Sequence, residues 1–282
     1  MEDDEDRLPE VVPPIRGEHS PLKRHLAPSE AIAWLRAGWQ DFTSVNLQAS
    51  LLYGVFVFLV SIAILTVLIF FRADYITFPA LGAFMVFGPV LAIGLYEKSR
   101  RIAIGEPVRL RNMLRVRSRS GGQLPFIGVL LVLLVMLWLR VAVLLYALFF
   151  GMRPIPELDE VVAVLLTTPP GLGLLLVGSL FGALFAALAF GIGALSVPLL
   201  LNERSDAFSA MGASLALVWH NLPVMLAWGG IVMLVFLGCL LTGLLGLIVA
   251  FPVLGHATWH AYVAVRGEPE SPIQVPAIPD AA

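Results

Sequence analysis

The sequence is poor in charge and almost without lysine and cysteine. Only 13% of its 282 residues are charged, against 59% hydrophobic, whereas soluble domains carry about 25% charged residues. A globule this apolar would not stay dissolved, so lipid is the expected solvent. Of 18 basic residues only Lys23 and Lys98 are lysine. The single cysteine, Cys239, excludes a disulfide within the chain and leaves no basis for a thiolate metal site. In its apolar surroundings it reads as a small packing residue. A phosphate-cradling Gly-rich loop, a G-x-S-x-G turn and a dinucleotide fingerprint are all missing, so no catalytic class is indicated. The start, Met1-Glu2-Asp3-Asp4-Glu5-Asp6, is acidic where a cleavable signal needs basic residues. The first apolar segment is also too long for a signal core and is expected to remain as a span.

What the chain does contain is long apolar runs. Six segments, roughly 48–71, 76–97, 124–150, 171–201, 221–241 and 243–265, are each near or above the ~20 residues that a helix needs to cross ~30 Å of hydrocarbon. The last two form one continuous run, too long for one span, and Leu241-Thr242-Gly243 is the expected hairpin turn. Residues 1–28 are acidic and then Pro-rich, and 267–282 hold four more prolines; both read as disordered cytosolic tails flanking a transmembrane domain over 29–266. Basic residues set the direction. The loop 98–119 carries Lys98, Arg100, Arg101, Arg109, Arg111, Arg115, Arg117 and Arg119, while the loops around Arg72 and Arg153 carry one arginine each. The Arg-rich loop and both termini are therefore expected on the cytosolic side. These arginines are the expected contacts for anionic lipid headgroups. Nucleic acid is a poor partner for them, because the loop is tied to a membrane and lacks interleaved aromatics.

Internal similarity adds detail. Phe87-Gly88-Pro89-Val90-Leu91, Val197-Pro198-Leu199-Leu200 and Phe251-Pro252-Val253-Leu254 occupy matching places in spans two, four and six. Asn46-Leu47-Gln48, Gln123-Leu124-Pro125 and Asn221-Leu222-Pro223 each precede an odd span. Ahead of the first and last of these starts, Ile32, Leu35, Trp39 and Phe42, and Phe208, Met211, Leu215 and Val218, share one helical spacing. Such a stripe makes an amphipathic helix lying in the membrane interface. The segment 108–119 before span three is basic and less periodic. The expected fold is all-α: six transmembrane helices as three pseudo-repeated hairpins, each introduced by an interfacial helix. No span shows an evident break in its pattern.

Eight positions beyond the repeat prolines stand Glu97, Asp206 and His260; four positions beyond stand Asn202 and His256. Positions i, i+4 and i+8 share a helix face, so Glu97, Asn202, Glu203, Asp206, His256 and His260 are expected to converge at the cytosolic side if the repeats surround an axis. His256 and His260 lie one turn apart, a spacing open to three readings: interfacial hydrogen bonding, proton handling, or a metal or haem ligand pair. No cofactor is indicated by any other feature. Arg140 lies inside span three, where a charge is costly. Asp74, Asp159 and Glu160 are candidate partners, and snorkelling to the outer interface is the alternative. In span four Gly178, Gly182 and Ala186 form a small-residue row that reads as a packing seam inside the bundle, with a homodimer seam as the alternative.

The stretches Gly88–Arg101 and Gly255–Tyr262, with Trp34-Leu35 to Asp41 and Trp138-Leu139-Arg140, resemble an uncharacterised proteobacterial inner-membrane family, over roughly residues 30–266. The resemblance implies a six-span bacterial inner-membrane protein with no established activity. Some members carry the label cytochrome c oxidase subunit I-like. Five histidines, with His19 and His25 in the tail, are too few for the haem and copper ligands of an oxidase core. The residues leave three functions open: a non-enzymatic accessory or scaffold protein attending a larger membrane complex or organising lipid, a transporter or channel for a small solute, and a haem- or metal-binding or respiratory-complex-associated membrane protein.

Overall fold

The computed structural model describes residues 22–72, 76–151 and 158–267. Helices account for all of its regular structure there: α1 Glu30–Ser44, α2 Leu47–Phe70, α3 Thr77–Leu91, α4 Ile93–Ala103, α5 Leu110–Leu114, α6 Gln123–Phe150, α7 Leu158–Thr167, α8 Pro169–Gly193, α9 Ser196–Asn202, α10 Ala207–His220, α11 Leu222–Leu241 and α12 Leu247–Arg266. Six spans long and apolar enough to cross a bilayer result: α2, α3 with α4, α6, α8 with α9, α11 and α12. The long apolar run at the end divides where Gly243 and Leu244 both take positive φ, two residues beyond the end of α11. The outer connection 151–170, expected as a loop, contains the additional helix α7.

Spans two and four are broken, contrary to the reading from pattern alone, and the breaks follow from proline. Pro89 lies in the last turn of α3, and the chain restarts as α4 after Ala92. Pro198 falls in the first turn of α9, where its missing N–H removes no helical bond. A break exposes backbone groups that lipid cannot satisfy, and here neighbouring hydroxyls do so. The Tyr53 hydroxyl of α2 donates to the Leu91 carbonyl at 2.7 Å. Ser214 of α10 donates to the Gly191 carbonyl at 2.7 Å and accepts from the Leu195 N–H at 3.1 Å. The third proline, Pro252, leaves α12 continuous but removes the N–H that would bond the Ile248 carbonyl. Gly54 of α2 lies against that oxygen so closely that a Cβ would overlap it. The glycine hydrogen in the Cβ position points at the oxygen, a geometry for a weak C–H···O bond.

α12 is the central helix, in contact with α1, α2, α4, α9 and α11. It is also the least apolar span, with mean hydropathy 1.3 against 2.8 for α2 and α6. Lipid-facing helices must be apolar all round, whereas a helix enclosed by protein can carry polar groups. The interfacial helix α1 crosses α12 at Gly38, where a Cβ would stand 2.6–2.7 Å from the Ala257 nitrogen, the Ala257 Cβ and the Val253 carbonyl.

The orientation of α1 and α10 adds a second, protein-facing stripe to the one that periodicity marked. α1 buries Ala31, Trp34, Gly38 and Asp41, together with Phe42; Ile32 and Trp39 face outward, about half exposed. α10 buries Ala207, Ala210, Ser214 and Leu217, with Val218, and exposes Phe208 and Leu215. Both protein-facing stripes therefore sit one residue before the stripe of largest side chains, with identical spacing. Hydrophobic periodicity marked the lipid-facing stripe, because lipid draws large apolar groups as strongly as a protein core does. Before span three the expected interfacial helix shrinks to the five residues of α5.

Both described ends lie on the same face of the bundle. Part of the segment expected as a disordered tail docks there. The Arg24 N–H donates to Asn221 Oδ1 at 2.9 Å, and Asn221 Nδ2 donates to the Leu22 carbonyl at 2.8 Å. The Arg24 guanidinium donates to the Val265 and Arg266 carbonyls, so a cation caps the negative end of α12. Residues 1–21 and 268–282, the remainder of both expected tails, lie outside the described residues. The small row of span four is not a seam in this chain at its glycines: Gly182 meets nothing within 4 Å of a Cβ position, and Gly178 meets only Leu174 of its own helix.

Candidate functional site

The last turn of α1, the first turn of α2, the middle of α4 and the second half of α12 bring together polar side chains far apart in sequence. Lys98 Nζ donates to Ser50 Oγ at 2.9 Å. Ser50 Oγ is 3.1 Å from His256 Nε2, and Ser99 Oγ is 2.8 Å from His256 Nδ1. Ser99 in turn hydrogen-bonds the Asp41 carboxylate, and Asp41 Oδ2 lies 2.9 Å from His260 Nε2. Ser50, Lys98 and His256 have no exposed surface, Ser99 and Asp41 have little, and the His260 side chain is one-third exposed. The result is one continuous chain of hydrogen bonds from a sealed lysine to an interfacial histidine.

Donor and acceptor chemistry gives this chain a direction. The lysine only donates, so Ser50 Oγ accepts, and the one hydrogen of Ser50 goes on to His256 Nε2. His256 is then the neutral tautomer with its proton on Nδ1, which donates to Ser99. The Ser99 hydrogen is left for Asp41. Every bond from Lys98 runs toward the Asp41 carboxylate, which accepts from His260 on its other side. The positive lysine and the negative aspartate attract one another across the chain, so the buried group is balanced in charge although no direct ion pair joins them.

Burial alone would raise the Asp41 carboxyl. The hydrogen bonds from His260 and Ser99, with the attraction of His260, outweigh that, and it sits below the ordinary aspartate range. Glu203 behaves likewise: burial raises it, but hydrogen bonds from Arg266 and Tyr262 and the Arg266 charge bring it lower. For groups depressed in the folded state, the stabilisation is whole above the unfolded carboxylate values, about 4, and disappears as pH falls through the folded values. The thermal midpoint in detergent is therefore expected to hold above about pH 5 and to drop below about pH 4. The Asp41→Asn variant should lose part of that acid slope, and equal slopes for the two proteins would exclude Asp41 as a contributor.

The six residues expected to converge are divided among separate groups. Only His256 and His260 belong to the buried chain. Glu97, buried on the other side of α4, accepts from Arg100 at 2.9 and 3.0 Å and from Arg101 at 2.6 Å. Glu203 accepts from Tyr262 at 2.7 Å and from Arg266 at 3.0 and 3.2 Å, and Asn202 donates to the same Tyr262 hydroxyl at 3.4 Å. Asp206 is the N-cap of α10, its Oδ1 accepting from the Ser209 N–H at 2.9 Å. Carboxylates near the ends of the spans meet nearby arginines or helix N–H groups before they meet each other. Arg140 is exposed on the flank of α6 and forms no ion pair among the described residues; Asp74 and the Asp159 side chain lie outside the description. Asp41, Ser50, Lys98 and Ser99 were not singled out by sequence. Among the described residues no group of three or more His, Cys, Asp or Glu is placed to hold a metal ion, and both nitrogens of His256 are held by serines.

Between α3, α8, α11 and α12 lies a cavity of about 210 Å³. Its wall is almost wholly apolar, with Phe84, Trp228 and Phe236 prominent and Tyr96 and Thr258 at one end.

Six helical spans, with the least apolar of them, α12, at the centre, define an all-α polytopic integral membrane protein. A family model described as "Predicted integral membrane protein (DUF2189)" matches residues 77–202, from the start of α3 to the end of α9. This is the uncharacterised membrane family that the Gly88–Arg101 motif resembles; the Gly255–Tyr262 motif lies beyond the matched range. No curated protein and no solved structure matches the chain.

Proposed function

We propose that the protein is a non-enzymatic accessory or scaffold protein of the bacterial inner membrane, with its arginine face and both described ends toward the cytosol. The observation that carries this reading is where the buried polar groups go. Every buried side-chain nitrogen and oxygen among the described residues has a partner. Asp41, Lys98 and His256 among the ionisable ones tie the interfacial helix α1 to α2, α4 and α12, and none of the six chain residues lines the apolar cavity. Such a network builds a rigid platform. What it holds in place is a basic face and two interfacial helices with large apolar side chains pointing away from the bundle, a surface suited to lipid and to a larger membrane complex. Affinity purification of the full chain in mild detergent is expected to bring down the same membrane complex reproducibly. Repeated recovery of the protein alone would reject the scaffold reading.

The broken spans favour one second reading, a transporter for a small solute, because discontinuous helices line the sites of many transporters. Solute flux in proteoliposomes, lost in His256→Ala, would support it. Flux absent for every solute tested, with the protein shown to be folded, would remove it.

A further inference from the structure

The arginines of the 98–119 segment do not form an even fringe. Arg100 and Arg101 on α4, Arg111 on α5, and Arg115 and Arg117 just beyond α5 surround a recess of about 330 Å³ with mostly polar walls, and Glu97 is the one carboxylate lining it. Glu97 is engaged by Arg100 and Arg101, and Arg101 also pairs with Glu106 at 2.9 Å. Arg111, Arg115 and Arg117 are exposed and have no ion pair among the described residues. The recess thus has a neutralised rear wall and, at its mouth, three guanidinium groups that no described carboxylate pairs with.

A second, independent observation says where the ligand comes from. Ile104 and Leu114 stand beside these arginines with more than half of their surface exposed. The short helix α5 between them is anchored by Met113, which is buried against the Gly94 side of α4. Large apolar side chains exposed at the end of a span are covered by hydrocarbon, with the guanidinium groups beside them at headgroup depth. Planar, forked donors are suited to the oxygens of a phosphate.

We propose that the recess lined by Glu97, Arg100, Arg101, Arg111, Arg115 and Arg117 is a binding site for the phosphate group of an anionic lipid, with Arg111, Arg115 and Arg117 as its direct contacts. Glu97 is a positioning residue that holds Arg100 and Arg101 against the rear wall. The site rests on the scaffold reading only in placing this face at a membrane surface; it needs no partner complex, so the two fail separately.

The test uses the full chain purified in mild detergent and exposed to mixed micelles of phosphatidylglycerol and phosphatidylcholine, with retained lipid counted by native mass spectrometry. Wild type is expected to retain phosphatidylglycerol in preference to phosphatidylcholine. The triple variant Arg111→Gln, Arg115→Gln, Arg117→Gln should lower that retention by about tenfold or more, since each membrane-facing arginine strengthens the attraction. These three side chains are exposed and have no ion pair among the described residues, so an unchanged thermal midpoint verifies that the variant is folded. Undiminished phosphatidylglycerol retention in the folded variant overturns the site. A parallel titration with inorganic phosphate distinguishes the source: phosphate binding without any preference for phosphatidylglycerol overturns the lipid assignment.

Discussion

Gly54→Leu is expected to prevent assembly of the bundle, and Gly54→Ala to lower its thermal midpoint by roughly 5–10 °C. The reason is what stands opposite. At Gly54 the neighbour is the Ile248 carbonyl, with its carbon 2.8 Å and its Cα 3.0 Å from a Cβ position. These are backbone atoms of the central helix and cannot swing aside as the end of a side chain can. Overpacking a well-filled site costs about 1–3 kcal/mol. Here α2 must also move away from an oxygen that Pro252 has already deprived of its helical partner, and about 2–4 °C of midpoint accompanies each kcal/mol in a chain of 150–250 residues. Gly88→Ala is the control. Gly88 meets nothing within 4 Å and sits inside a helix, so added helix propensity should leave the protein unchanged or slightly more stable. Thermal unfolding of the three variants in one detergent checks the argument, and equal effects at Gly54 and Gly88 would defeat it.

The second large effect is expected at the two ends of the buried chain. Lys98→Met leaves Asp41 without its balancing charge and Ser50 without a donor. Asp41→Asn keeps the shape but leaves a positive group in the interior. Each single change is expected to cost about 3 kcal/mol, the range found when one partner of a buried charge pair is removed. Lys98→Met with Asp41→Asn removes both charges, so the double variant should be more stable than the sum of the singles predicts by about 1–3 kcal/mol. Additive losses would mean that the two charges do not sense one another through Ser50, His256 and Ser99, and that the network is a set of local bonds.

The six spans were legible in the sequence because hydropathy over ~20 residues is a strong signal, and their boundaries agree to within a few residues except in span two. There the pattern stopped at Glu97, but α4 continues to Ala103. The same boundary hid the site. Lys98 stands among the arginines of a basic loop, and a charge count cannot tell which face of a helix a lysine occupies; on α4 it turns inward while Arg100 and Arg101 turn to Glu97. Ser50 and Ser99 are small polar residues at span ends, where serine is common whether or not it bonds anything. Asp41 lay outside the apolar stripe of an interfacial helix, and the sequence does not show that the neighbouring stripe faces protein. His256 and His260 could be found because histidine is rare in apolar helices. The breaks in spans two and four were missed because Tyr53 and Ser214, the residues that seal them, lie on other helices far along the chain.

The docking of α1 and its preceding segment has a consequence for the order of synthesis. The first described helix binds chiefly to the last described one: Gly38 and Asp41 meet α12 at Ala257 and His260, and Arg24 meets the carbonyls of Val265 and Arg266. A nascent chain holding every span except α12 lacks most of the surface that seats α1, with Trp228 of α11 left as a partner for Trp34. The helix must then wait at the membrane surface while more than two hundred residues are translated, and the arrival of the final turn of α12 closes the molecule. Truncation by the last few residues of α12 would take from Arg24 the carbonyls of Val265 and Arg266 that it caps, and leave Asn221 as the remaining hydrogen-bonded anchor of that segment.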